Sequence, residues 1–122
     1  MKWKASLAKW RSDRNITKPI KEFEKAIEDE VDEYTTAVRA NDIHEQIDAI
    51  GDIITFSTNQ MHLLGYDVDA VMKEIVKEIS SREQDPDQAA RDWSNEKWAK
   101  NREQDPDTMY KADFNRCKTG QS

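Results

Sequence analysis

A chain of 122 residues is enough for one domain but short for a large core. Hydrophobic and charged residues each make up 36 %, the formal net charge is −6 and the sequence pI is near 5.0. That balance argues against a nucleic-acid polymer as partner, which requires a basic face, and favours association as a way to bury more apolar surface.

Residues 2–14 predict a short amphipathic helix, with Trp3, Leu7 and Trp10 at helical spacing among Lys and Arg. Its expected task is to seal the core; the alternative is that Trp3 or Trp10 stacks on a planar ligand. A second helix is expected from Ile20 to Ala40, with Thr17 as its N-cap and Pro19 in its first turn. Ile20, Phe23, Ile27, Val31, Tyr34 and Val38 form its apolar stripe. At about 100° per residue, Ala26, Glu30, Glu33 and Ala37 lie along the flank of that stripe. Residues 22–33 hold seven acidic side chains, most of which must be solvated, Asp29 among them. Glu30 stands apart because it borders the apolar face.

Asn41-Asp42 breaks the pattern and can cap a third helix, expected from about Asp42 to Leu64. Ile43, Ile47, Ile50, Ile54 and Met61 make its main stripe, widened by Ala49, Ile53 and Phe56. Asp48, Asp52, Thr55 and Asn59 form a narrow polar strip in this otherwise oily helix. Gly51 costs the helix about 1 kcal/mol and permits close approach of another helix or a ligand. Gly65 is expected as the C-cap. Asp67 or Asp69 then caps a fourth helix carrying Val68, Val71, Met72, Ile75 and Ile79.

From residue 83 the composition changes, so residues 1–82 are expected as the helical domain and 83–122 as an extension packing on the bundle or on a partner subunit. REQDPD occurs at 82–87 and again at 102–107, and Trp93, Trp98, Tyr110 and Phe114 are the expected anchors of the tail. The single cysteine, Cys117, excludes a disulfide within one chain, is expected to be inert and fits a reducing, cytoplasmic setting. The start MKWKASLAKW lacks the apolar run of a signal peptide. The longest apolar-rich stretch, Ile47 to Ile54, is too short to span a membrane.

The chemistry concentrates in two carboxylate pairs. Glu30 and Glu33 are three apart on one helix; Asp48 and Asp52 are four apart on the next. Each spacing puts a pair on one helix face, and two helices joined by a short turn pack antiparallel. Four carboxylates converging in a low dielectric repel unless a cation joins them. An all-oxygen set suits Mg²⁺ or Mn²⁺. His44 and His62 are far apart with no cysteine cluster, which argues against zinc.

The segments EDEVDEY, IDAIGDIITF and LLGYDVDAVMKEIVKE, in this order over residues 7–82, resemble the all-α nucleoside triphosphate pyrophosphohydrolases, the MazG-like superfamily. Glu30 and Glu33 match the first acidic motif of that superfamily and Asp52 the last acidic position. Asp48 fits the D-x-x-x-D variant of the phosphoribosyl-ATP pyrophosphohydrolase branch, because position 49 is Ala. The Ser-Asn-Met-Ser-Lys segment common in that branch is absent; the comparable region reads EISSRE. The ending YKADFNRCK resembles the C-termini of small MazG-like proteins of bacteriophages, which would put the chain in a host cytoplasm.

The resemblance implies an all-α bundle of four to five helices, completed by oligomerisation to a homodimer or homotetramer, with an irregular C-terminal tail. It implies Mg²⁺, or Mn²⁺, held by Glu30, Glu33, Asp48 and Asp52, with Glu30 and Glu33 catalytic. The activity implied is conversion of a (d)NTP to a (d)NMP and pyrophosphate. Trp10 and Phe56 are candidates for a base pocket, Asn59 for a further substrate contact, and Lys77 and Arg82 for phosphate contacts. Two alternatives stand beside this: phosphoribosyl-ATP or another nucleotide derivative as substrate, and a non-catalytic helical adaptor on an enzyme-like scaffold.

Overall fold

The computed structural model describes residues 2–81 and 110–119. Among them are four α-helices and one short 3₁₀ turn, an all-α architecture as expected. The chain divides into two compact units, residues 1–66 and 67–122. The expected boundary at 82 falls inside the second unit, and most of the extension, with Trp93, Trp98, Arg82 and both REQDPD copies, lies outside the described residues.

The first unit holds α1 (Trp3–Asp13), α2 (Lys21–Arg39) and α3 (Ile43–Leu63). Thr17 does not cap α2. The cap position is Ile20, in extended backbone and without a side-chain bond. Pro19 ahead of it favours the extended chain, and the Ile20 N–H donates instead to Gln60 Oε1 on α3 at 3.4 Å. The turn into α3 forms as its residue types suggest. Asn41 takes a left-handed conformation at φ 54°, which asparagine tolerates well, and Asp42 accepts from the Glu45 N–H at 3.1 Å. Gly65, at φ 91°, closes the far end of α3.

The packing of this α2–α3 hairpin differs from what the apolar stripes suggest. Phe23 and Ala37 on α2 are buried, and so are Ala49, Thr58 and Asn59 on α3. Phe23, Glu30 and Ala37 are seven apart, and Ala49, Asp52, Phe56 and Asn59 follow a three-four-three spacing. Each set therefore lies on one helix face. The seam is built from the flanks of the stripes, where alanines let two backbones approach. The large β-branched residues point away. Ile43 is 69 % exposed and Ile47 64 %, with Ile50, Ile54, Val31 and Val38 also exposed. Within one chain, α3 is polar toward its partner helix and oily toward solvent.

In the second unit, α4 (Val68–Ser81) starts at Asp67, whose side chain accepts from the Ala70 N–H at 2.9 Å. Val68, Val71 and Glu74 are its buried residues. The segment from Tyr110 to Thr119 is fastened to this helix. The Tyr110 hydroxyl donates to Glu74 Oε1, and the Asp113 N–H reaches the same oxygen at 2.9 Å. The Tyr110 N–H donates to Ser81 Oγ at 2.9 Å, and the Ala112 N–H to Glu78 Oε1 at 3.3 Å. Tyr110 is thus an anchor, as expected, whereas Phe114 is exposed. Cys117 closes the 3₁₀ turn Phe114–Cys117, buried, with its thiol pKa pushed up by burial. A thiol held protonated is unreactive.

Candidate active site: a carboxyl cluster in the α2–α3 seam

The heptad spacing of Phe23, Glu30 and Ala37 places Glu30 on the line of contact between α2 and α3. Asp52 occupies the matching position on α3. Both are half-buried. Glu33, one turn beyond Glu30, is exposed and reaches back toward it. The consequence is electrostatic. Burial pushes the Glu30 carboxyl from the usual range up to about 7, and hydrogen bonding and repulsion from Glu33 and Asp52 add to the rise. Its Oε2 is buried and, among the described residues, has no hydrogen-bond partner. Among the described residues no cation acts on Glu30 to offset the two acids beside it, so its neutral form is favoured.

Asp48 is different. It is exposed and is not among the groups that act on Glu30. The structure thus gathers Glu30, Glu33 and Asp52, and leaves Asp48 at the edge. Among the described residues no three acidic, histidine or cysteine side chains form a ready metal cage. Mg²⁺ does not require one, since it keeps several waters and is completed by substrate phosphates. The orphaned Glu30 Oε2, in an all-oxygen set, fits such an ion.

Beside the acids runs an aromatic row. Phe56 follows Asp52 by one turn, and its ring centroid lies 5.9 Å from Phe23. Phe23 in turn lies 6.2 Å from Trp10 on α1. Trp10 is 38 % exposed, with the Arg14 guanidinium 4.3 Å over its ring. Asn59, the next member of the α3 face, is 2 % exposed. Its Oδ1 accepts from Arg11 at 2.5 Å, and Arg11 also meets His62 Nδ1 at 2.9 Å. Arg11 escaped the sequence reading. Its signal was its place four residues beyond Leu7, on the stripe of α1, where an exposed cation does not belong. Lys77 lies in the second unit, its Nζ 4.6 Å over the Tyr110 ring.

One recess borders the carboxyl cluster and another belongs to the second unit. One of about 470 Å³ is lined by Asp32, Glu33, Thr36, Ala37, Asp42 and Glu45. A larger one, about 810 Å³, lies in the second unit along α4 and Arg116–Thr119 and includes none of the seam carboxylates. Chemistry, not volume, makes the first unit the candidate site.

A family model for phosphoribosyl-ATP pyrophosphohydrolase matches residues 8–78, more than half the chain and all of the carboxyl cluster. The chain belongs to this family. It is therefore a member of the MazG-like all-α superfamily, whose chemistry is hydrolysis of phosphoric anhydrides in nucleotides. No curated protein and no solved structure matches the chain. Among the described residues no helix is long and apolar enough to cross a membrane.

Proposed function

We propose that the chain is a Mg²⁺-dependent nucleotide pyrophosphohydrolase that cleaves the α–β anhydride of a nucleoside triphosphate, leaving a nucleoside monophosphate and pyrophosphate. The observation that carries this reading is Glu30, a carboxyl poised near neutrality, with an unpartnered buried oxygen and two more acids beside it. With a divalent ion bound beside it Glu30 gives up its proton, and a carboxylate at this place can act as a general base. Glu30 Oε2 takes the proton of the attacking water, whose oxygen bonds to the α-phosphorus as the bond to the bridging oxygen breaks. Glu33 and Asp52 would hold the divalent ion with Glu30, and Asp48 would join through a bound water. That ion, when bound, neutralises triphosphate charge and makes water easier to deprotonate. Trp10 and Phe56 would flank the base.

The site is proposed to work in a homo-oligomer. Ile43, Ile47, Ile50 and Ile54 make an exposed ladder on α3, opposite the seam. A Cβ at Gly51, in the middle of the ladder, would meet nothing within 4 Å, so a second copy's helix has room to approach. Covering such a ladder supplies the core that the single chain lacks.

A second reading keeps the chemistry and takes phosphoribosyl-ATP as substrate; the family match favours it. The test is pyrophosphate release with Mg²⁺ from dATP, dCTP, dGTP, dTTP, dUTP, ATP and phosphoribosyl-ATP. Turnover confined to the last selects the second reading. Folded protein that turns over none of them, and whose melting temperature ignores millimolar Mg²⁺ and Mn²⁺, is an adaptor and not an enzyme.

A further inference from the structure

Arg11 is the one buried residue of α1, at 7 % exposure. A charge there is an odd choice. Among the described residues no carboxylate pairs with it; its partners are Asn59 Oδ1 and His62 Nδ1. Burial lowers its pKa, a direct sign of the desolvation that a buried cation suffers. A leucine at this position would dock α1 without that penalty, and such replacements are often neutral or stabilising. What a leucine could not do is fix the rotation and register of α1. A guanidinium is a planar fork with set donor directions. Asn59 and His62 are three apart, one turn of α3, and the fork grips both.

The residue next to Arg11 is Trp10. Its indole lies tilted 6.2 Å from the Phe23 ring, with Arg14 over its face, and keeps more than a third of its surface open. An apolar contact of that kind slides; a two-pronged hydrogen bond does not. We infer that Arg11 is a positioning residue for the substrate base: by gripping Asn59 and His62 it holds α1 in the one register that sets the Trp10 ring beside Phe23, which in turn lies 5.9 Å from Phe56. The same grip takes up the Asn59 acceptor, since a guanidinium can only donate. This rests on the proposed nucleotide chemistry, but it concerns binding, whereas Glu30, Glu33 and Asp52 concern turnover.

The experiment is a double-mutant cycle in the full chain, read as kcat and KM on whichever nucleotide of the panel above is hydrolysed fastest. Arg11→Met is expected to raise KM about tenfold with kcat within twofold. Trp10→Ala is expected to raise KM by a similar factor. In the double variant the effects do not multiply, because Arg11 acts through Trp10. Arg11→Lys keeps the charge but not the fork, and covers the case in which Arg11→Met fails to fold. Its KM defect should be smaller, and should vanish in the Trp10→Ala background. Multiplicative effects, or a fall in melting temperature with no change in KM, would reduce Arg11 to a structural residue. An unchanged KM in Trp10→Ala would overturn the base contact while leaving the carboxylate chemistry intact. Absence of turnover in the unsubstituted chain would overturn both.

Discussion

Glu74, which is buried, and Glu30, which is half-buried, meet opposite fates. Glu74, in the second unit, is surrounded by donors: the Tyr110 hydroxyl and the Asp113 N–H bond to it, and Lys77 stands near. Its pKa is held below the usual carboxylate range, first by the Tyr110 bond and then by Asp113. Glu30, in the first unit, is surrounded by acceptors, and its pKa rises to about 7. One carboxylate is satisfied and fastens the segment Tyr110–Thr119 to α4. The other is left wanting a cation. Burial of a charged group is common to both; the identity of the neighbours decides whether it builds structure or stores reactivity.

The largest expected effect tests Glu30's half of this contrast. Glu30→Gln, Glu33→Gln and Asp52→Asn should each lower kcat at least a hundredfold, on the scale of losing a general base, while circular dichroism reports unchanged helix content. Asp48→Asn, outside the group acting on Glu30, should cost far less, on the order of tenfold. Equal losses for Asp48 and Asp52 would mean that Asp48 swings into the cluster.

Next comes a removal of the second glutamate. Glu74→Ala leaves the Tyr110 hydroxyl and the Asp113 N–H without their acceptor. The melting temperature should drop by roughly 5 °C, and proteolysis should open the chain beyond Ser81. Activity of the folded fraction per molecule should not change. A loss of kcat without a loss of stability would contradict the structural role given to Glu74.

The pH dependence of stability should separate the two as well. Glu30's folded pKa is raised, so folded protein retains a proton that unfolded protein releases. Its contribution favours the metal-free fold below the ordinary carboxylate pKa and is lost as pH rises to about 7. Glu74's folded pKa is depressed, so its contribution is present at neutral pH and disappears on strong acidification. Without metal, the contributions of these two groups should therefore put the peak in melting temperature at the ordinary carboxylate value, about pH 4.5. Glu30→Gln should flatten the decline above that peak and stabilise the metal-free chain at pH 8. A stability curve that still falls from pH 5 to 8 in Glu30→Gln would move the origin of the decline elsewhere.

Two further tests concern metal and assembly. Mn²⁺ at 100 times its dissociation constant should stabilise the fold by about 2.7 kcal/mol, and Glu30→Gln should abolish that gain but Glu74→Ala should not. Ile47→Asp, on the exposed ladder, should convert an oligomer to a monomer in light scattering. Unchanged mass would mean that another face joins the copies.

Much of this was legible in the sequence. Local chemistry set the helices and the Asn41-Asp42 turn, because helix periodicity and an aspartate cap act over a few residues. The spacing of Glu30, Glu33 and Asp52 placed them on facing sides of a hairpin for the same reason. What the sequence did not decide was which stripe packs inward. The isoleucines of α3 looked like its core face, yet the seam is formed by Ala37, Ala49 and their polar neighbours, since small residues allow the closest approach of two helices. That choice depends on the partner surface, which no local pattern encodes. The same holds for Arg11 and Glu74. Arg11 lies 48 positions before Asn59, and Glu74 lies 36 positions before Tyr110; only the tertiary structure brings such donors and acceptors together. The chain's own letters determined an acidic helical hairpin. The fold decided that one buried carboxyl oxygen in it, Glu30 Oε2, would find no partner among the described residues.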